Sequence, residues 1–140
     1  MQKPVVLIVE DDLIIGDCLE EILEKAGYSV CGIATTTEQA IELGKRYNPD
    51  LGVFDLRLSD GGMGTDVGAA LLPRDGFGVL YASGNPDHER FRNAVGAAVI
   101  GKPYNATSIV MALGVVRERL HGMPLSAFPP RFRLLDSPVT

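Results

Sequence analysis

The sequence predicts an α/β fold, a doubly wound five-stranded parallel sheet packed between two layers of helices. Three observations carry this prediction. Short apolar runs of strand length alternate with longer segments of helical periodicity, five times over. The runs are apolar throughout rather than alternating with polar residues, the pattern of parallel strands covered on both faces. The chain has 140 residues, 46% of them hydrophobic and 22% charged, enough for one core and too apolar to remain disordered.

Val5 to Val9 is the first such run, ending in the acids Glu10, Asp11 and Asp12. Leu13, Ile14, Leu19, Ile22 and Leu23 then recur near helical spacing, and Gly27 stands where a helix C-cap belongs. Tyr28 to Ala34 reads as the second strand, followed by a helix from Thr37 through Tyr47 that Asn48-Pro49 ends. Leu51 to Phe54 forms the third strand and Asp55 closes it. A polar, glycine-rich loop, a short helix from about Thr65 to Leu72 and a fourth strand from Gly78 to Ala82 come next. Pro86 to Ala94 is expected to be helical, Ala97 to Ile100 is the fifth strand, and Asn105 caps a last helix to about Leu120. Residues 1–121 therefore form one domain. The segment 122–140, with Met123-Pro124, Pro129-Pro130 and Pro138, is expected to be a loosely packed extension and not an output domain.

The formal charge of -5 and the absence of a Lys/Arg cluster argue against nucleic acid as a partner. No apolar run approaches the roughly 18 residues of a membrane span, and Met1-Gln2-Lys3-Pro4 is no signal peptide, so no membrane partner and a cytoplasmic location are expected. Cys18 and Cys31 lack metal-ligand spacing and are expected to be reduced, small core residues.

In an open parallel sheet, ligands bind beyond the carboxyl ends of the strands. Those ends carry Glu10, Asp11 and Asp12, then Asp55, then Ser83, then Lys102. If strands one and three are neighbours, Glu10, Asp11 and Asp55 converge and repel unless a cation offsets them. An all-oxygen cluster suits a hard cation such as Mg2+. A metal alone leaves Ser83 and Lys102 unused. Phosphoryl transfer uses every residue: a carboxylate nucleophile, a metal, and a hydroxyl and an ammonium for the transferred oxygens.

In order, Val9-Glu10-Asp11-Asp12, Phe54-Asp55-Leu56, Tyr81-Ala82-Ser83-Gly84 and Gly101-Lys102-Pro103 resemble the signature of response-regulator receiver domains, over residues 3 to about 121. The resemblance implies a flavodoxin-like (βα)5 fold with strand order 2-1-3-4-5, of the stand-alone CheY-like type. It also implies that Asp55 is the phosphoacceptor, that Asp11 binds Mg2+ (or Mn2+) directly and Glu10 through water, and that the Arg57 carbonyl completes the protein ligands. Ser83 and Lys102 would bind phosphoryl oxygens, and the Lys102-Pro103 peptide bond is expected to be cis. Implied partners are a histidine kinase or histidine phosphotransfer protein and a downstream protein target, with a homodimer also open. The expected partner face is the fourth helix, fifth strand and fifth helix, with His88, Glu89, Arg90, Tyr104 and Arg117 as candidates.

Two features depart from the family. The ring usually found three residues before the lysine is replaced by Val99, which has no ring to swing; Tyr104 or Tyr81 are the candidates to replace it. The loop after Asp55 runs Leu56-Arg57-Leu58-Ser59-Asp60-Gly61-Gly62-Met63-Gly64, rich enough in glycine to be expected mobile. Gly62, Gly64 and Gly68 do not have the spacing of a dinucleotide fingerprint. Asn85 and Arg57 occupy positions that affect phosphoryl hydrolysis in the family. The function expected is a phosphoacceptor that is no enzyme beyond its own phosphorylation and dephosphorylation. The competing reading is a receiver-like interaction module that does not use phosphorylation. A phosphatase of external esters is disfavoured because Arg57 stands where such enzymes place their second acid.

Overall fold

A computed structural model describes residues 2–92 and 94–135. Its sheet comprises β1 (Val5–Val9), β2 (Ser29–Ala34), β3 (Leu51–Asp55), β4 (Gly78–Ser83), β5 (Ala98–Gly101) and β6 (Phe132–Leu134), in the order β2-β1-β3-β4-β5-β6. The first five strands are parallel, in the predicted order, and β6 runs antiparallel to β5. Among the described residues four helices flank the sheet: α1 (Leu13–Lys25), α2 (Thr37–Tyr47), α3 (Gly64–Leu71) and α4 (Ala106–Leu120).

The two-residue period of the strands divides the interior into two cores. Val6, Ile8, Leu51, Val53, Leu80 and Ile100 face α1 and α4, where they meet Leu19, Leu23, Ile109 and Leu113. Leu7, Val9, Phe54, Val79, Tyr81 and Val99 face the other way, toward Ala40 of α2 and Val67 and Leu71 of α3. Caps hold the helix starts. Asp12 accepts hydrogen bonds from the amides of Ile14 and Ile15, Thr36 from that of Gln39, and Asn105 from that of Ser108.

Three expectations are corrected. Among its described residues, the segment expected to be helical from Pro86 to Ala94 contains only a 3-10 turn, Glu89–Phe91. Among its described residues only Phe91 and Ala94 are buried, too few to form an apolar stripe that would favour a longer helix. Asn85 competes for the backbone ahead of it, its side chain accepting from the Asp87 amide and its carbonyl from the His88 amide. The second correction concerns Cys18, which is exposed on α1 and not in the core; Cys31 is half-buried on edge strand β2, and both are free thiols.

The third correction is to the described part of the tail, 122–135, which ends in a docked strand. Its β6 covers the edge of β5, pairing Phe132 with Ile100, Arg133 with Val99 and Leu134 with Ala98. The Leu135 amide donates to the Ala97 carbonyl at 2.9 Å, and the Leu135 side chain is 2% exposed. Ser126 anchors the approach through both carboxylate oxygens of Glu118, at 2.6 and 2.8 Å. Pro138 lies outside the described residues. A docked strand makes Leu135→Ala expensive, by about 2–4 kcal/mol, the usual cost of emptying a buried leucine site. Urea unfolding checks this; a change near zero would restore the loose-tail picture.

Candidate functional site

The loops that follow β1, β3, β4 and β5 meet at one end of the sheet. β1 and β3 are adjacent, with Val9 opposite Phe54, so Glu10 and Asp11 emerge beside Asp55. One carboxylate oxygen from each of Glu10, Asp11 and Asp55 lies within 4.8 Å of the others. Glu10 is buried, Asp55 is partly covered and Asp11 is exposed, so the cluster has a closed floor and an open mouth. Asp12, next in sequence, is turned away to cap α1.

Lys102 reaches into this cluster from the end of β5, where its peptide bond to Pro103 is cis as expected. Its ammonium lies 2.7 Å from Asp55 Oδ1 and 3.5 Å from Glu10 Oε1. Burial by itself would lower the Lys102 pKa, but the hydrogen bond to Asp55 and the charges of Asp55 and Glu10 outweigh it and hold the ammonium above its usual range. The pKa of Glu10 is raised as well, which for a carboxyl favours the neutral form. Burial first, then the Asp55 charge, raises it from 4.5 to about 7, against the Asp12 amide and the Lys102 charge, which lower it.

That shift has a measurable consequence. Between pH 4.5 and about 7 the folded protein keeps a proton on Glu10 that the unfolded chain has released, so stability falls as pH rises through this window. The metal-free protein is expected to have a lower urea midpoint near pH ~7.5 than near ~5.5, and Glu10→Gln should shrink the difference. An unchanged difference in Glu10→Gln would assign the pH dependence to other groups.

The remaining predicted residues divide. Ser83 is buried at the end of β4, opposite Gly101. Its hydroxyl donates to the Asn85 carbonyl at 3.2 Å and accepts from the Asn85 amide at 3.1 Å, so it serves as a turn hydroxyl here. Arg57 is exposed two residues after Asp55, with its backbone in a bridge to Met63; among the described residues its guanidinium makes no ion pair. Val99 is fully buried beside Tyr81, its register partner on β4.

Tyr81 is also fully buried and donates its phenol proton to the Val95 carbonyl. A Cβ on Gly68 would fall 1.9 Å from the Tyr81 hydroxyl, so the ring owes its place to a glycine on α3. Tyr81, one of the two candidates to stand in for a ring at position 99, is thus a side chain locked in the core on the neighbouring strand. Tyr104 instead sits half-buried at the start of α4, beside Lys102.

The glycine-rich loop is tied down in this structure. Asp60 accepts from the Thr37 amide at 3.1 Å and the Thr37 hydroxyl at 2.6 Å, and the Ser59 hydroxyl donates to the Thr35 carbonyl at 3.2 Å. Leu58 and Gly62 pair across the turn, and the Gly64 amide donates to the Leu56 carbonyl at 2.8 Å. The glycines permit a tight turn that polar side chains then fasten to α2.

The fold is shared with known proteins. The family profile described as "Response regulator receiver domain" matches residues 6–113. The chain belongs to the response regulator receiver family. Among its relatives, the phyllosphere-induced regulator PhyR of Methylorubrum extorquens is 31% identical over 108 residues, covering 74% of this chain and 40% of that protein. The chemotaxis protein CheY of Thermotoga maritima is 30% identical over 117 residues, covering 81% of this chain and 97% of CheY. The crystal structure of the response regulator PhyR from Brucella abortus matches with a TM-score of 0.65 and 26% identity, over 74% of this chain and 43% of that one. The chain thus spans less than half the length of either PhyR. Receiver domains in general bind Mg2+ and meet kinases and downstream proteins; the Glu10, Asp11 and Asp55 cluster fits a receiver's metal. Among the described residues no helix is long and apolar enough to cross a membrane.

Proposed function

We propose that this receiver accepts a phosphoryl group on Asp55 from a phosphohistidine of a kinase or phosphotransfer protein, with Mg2+ or Mn2+ bound, and signals by protein contact. The observation that carries this reading is the Lys102 ammonium 2.7 Å from Asp55 Oδ1 at the open mouth of a three-carboxylate cluster. A cation already present beside the nucleophile neutralises charge that would otherwise repel an incoming phosphate.

The remaining free oxygen of Asp55 attacks phosphorus, an O–P bond forms, and the P–N bond to the donor imidazole breaks, its electrons going to the imidazole nitrogen. The bound metal would be held by Asp11 and Asp55, by Glu10 through water and by the Arg57 carbonyl, and would offset charge on the phosphoryl oxygens. Lys102 shifts from Asp55 to a phosphoryl oxygen, and the Ser83 hydroxyl leaves Asn85 to donate to another. The chain turns over no substrate beyond its own phosphoryl group.

A docking place for the donor adjoins this mouth. Ile14, Ile15 and Cys18 of α1 face Pro103 and Tyr104 across an apolar groove of about 530 Å³, and Ile14 is 77% exposed. Such a groove suits the apolar face of a helix carrying the phosphohistidine.

Acetyl phosphate with Mg2+, followed by intact-mass measurement, is expected to add one phosphoryl group to the protein and none to Asp55→Asn. No addition to either protein would favour the reading as an interaction module that works without phosphorylation.

A further inference from the structure

We propose that Arg131, from the C-terminal segment, is a positioning residue for the phosphoryl site: it fixes the separation of the loops that carry Ser83 and Lys102. The inference rests on the phosphoacceptor reading above.

Arg131 immediately precedes β6, with φ at +59°, in the left-handed region that a residue with a Cβ adopts only when other contacts hold it there. Those contacts lie at the site. One guanidinium nitrogen donates to the Lys102 carbonyl, and the other donates to the Gly84 carbonyl at 3.2 Å, one residue past Ser83. The Arg131 carbonyl accepts from the Gly101 amide at 2.9 Å, one residue before Lys102. Beneath this bridge the Lys102 amide donates to the Ser83 carbonyl at 2.7 Å. The Ser83-Gly84 and Gly101-Lys102 segments are therefore joined twice, once directly and once through a planar fork whose donors have a fixed spacing.

The space for the fork is reserved by sequence. A Cβ on Gly101 would fall 2.7 Å from Arg131 Nε, so a side chain there would displace the guanidinium. Arg133 extends the same hold along the loop after β4, donating to the Pro86 carbonyl at 2.8 Å and pairing with Asp87 at 3.6 Å.

The Arg131 side-chain bonds are not the main hold on the tail. The ladder to β5, the burial of Phe132 and Leu135 and the Ser126–Glu118 anchor all lie elsewhere. Arg131 is itself exposed, so its replacement removes the bridge and leaves the packing in place.

The test compares the full chain with Arg131→Ala and Arg131→Lys. It measures Mg2+ affinity by calorimetry, beryllofluoride affinity at saturating Mg2+, the rate of phosphorylation by acetyl phosphate, and the melting temperature. The metal acids stand on β1 and β3, so Mg2+ affinity is expected to stay within about twofold, whereas beryllofluoride affinity and phosphorylation rate fall about tenfold in Arg131→Ala. Arg131→Lys, which keeps the charge and one donor direction but not the fork, is expected to recover only part of the loss. It carries the same test if Arg131→Ala does not fold. Beryllofluoride affinity and rate at the parent's level in a folded variant would overturn the proposal, as would a uniform loss of Mg2+ and beryllofluoride affinity alongside a lowered melting temperature. A parent chain that takes neither beryllofluoride nor a phosphoryl group would instead refute the phosphoacceptor reading, and this inference with it.

Discussion

Replacing Lys102 with Met is expected to tighten Mg2+ binding about tenfold while slowing phosphorylation by acetyl phosphate about a hundredfold at saturating metal. The two effects have opposite signs because one charge serves two ends. Without metal, the Lys102 ammonium is the counter-ion of Asp55 and Glu10, at 2.7 and 3.5 Å. An incoming divalent cation must share those carboxylates with it, so removing the ammonium removes a competitor. During transfer the same ammonium is needed on the phosphoryl oxygens, and losing a preorganised donor of that kind typically costs 100- to 1,000-fold, or about 3–4 kcal/mol of barrier. Calorimetric Mg2+ titration and a mass-resolved phosphorylation time course measure the two effects separately. Weaker Mg2+ binding in Lys102→Met would mean that the lysine organises the metal site and does not compete for it.

The largest effect on stability is expected at Tyr81. It heads the fully buried side chains by volume, and its ring lies against Phe54 and Phe91, with centroids at 6.2 and 5.6 Å. Tyr81→Ala should cost about 3–5 kcal/mol in urea unfolding, the usual range for emptying a buried aromatic site. Tyr81→Phe keeps the ring but leaves the Val95 carbonyl without the phenol, and should cost about 1–2 kcal/mol. A Tyr81→Ala cost below about 1 kcal/mol would mean that the neighbours collapse into the space, which a close-packed interior resists.

The parts legible in the sequence were those set by local pattern. Val5–Val9 and Leu51 to Phe54 are covered on both faces and therefore read as unbroken apolar runs. Asn105 announced its helix because capping is a matter of a few adjacent residues. The acids and Lys102 were legible because the ends of parallel strands gather at one edge of the sheet.

What was missed depended on distant partners. Phe132–Leu134 is too short to display alternation, and it becomes a strand because β5 offers an unpaired edge. Cys18 looked internal because the apolar stripe of α1 is wider than its buried part, with Ile14 and Ile15 also facing solvent. The resemblance already left Asp12 out of the metal site, but its role as a cap depends on the direction in which α1 leaves β1. The role of Gly68 beside the Tyr81 ring requires knowing that α3 crosses that strand.

By pairing with β5, the tail changes the terms on which the sheet can recruit another chain. A tethered strand joined through the short segment from His121 to Arg131 presents itself at an effective concentration of roughly millimolar. An outside strand seeking the β5 edge must outbind that internal rival, whereas among the described residues β2, at the opposite edge, has no such rival. Recruitment by strand addition is therefore biased toward the β2 side, and any partner of the β5 side carries the thermodynamic burden of first evicting the protein's own chain.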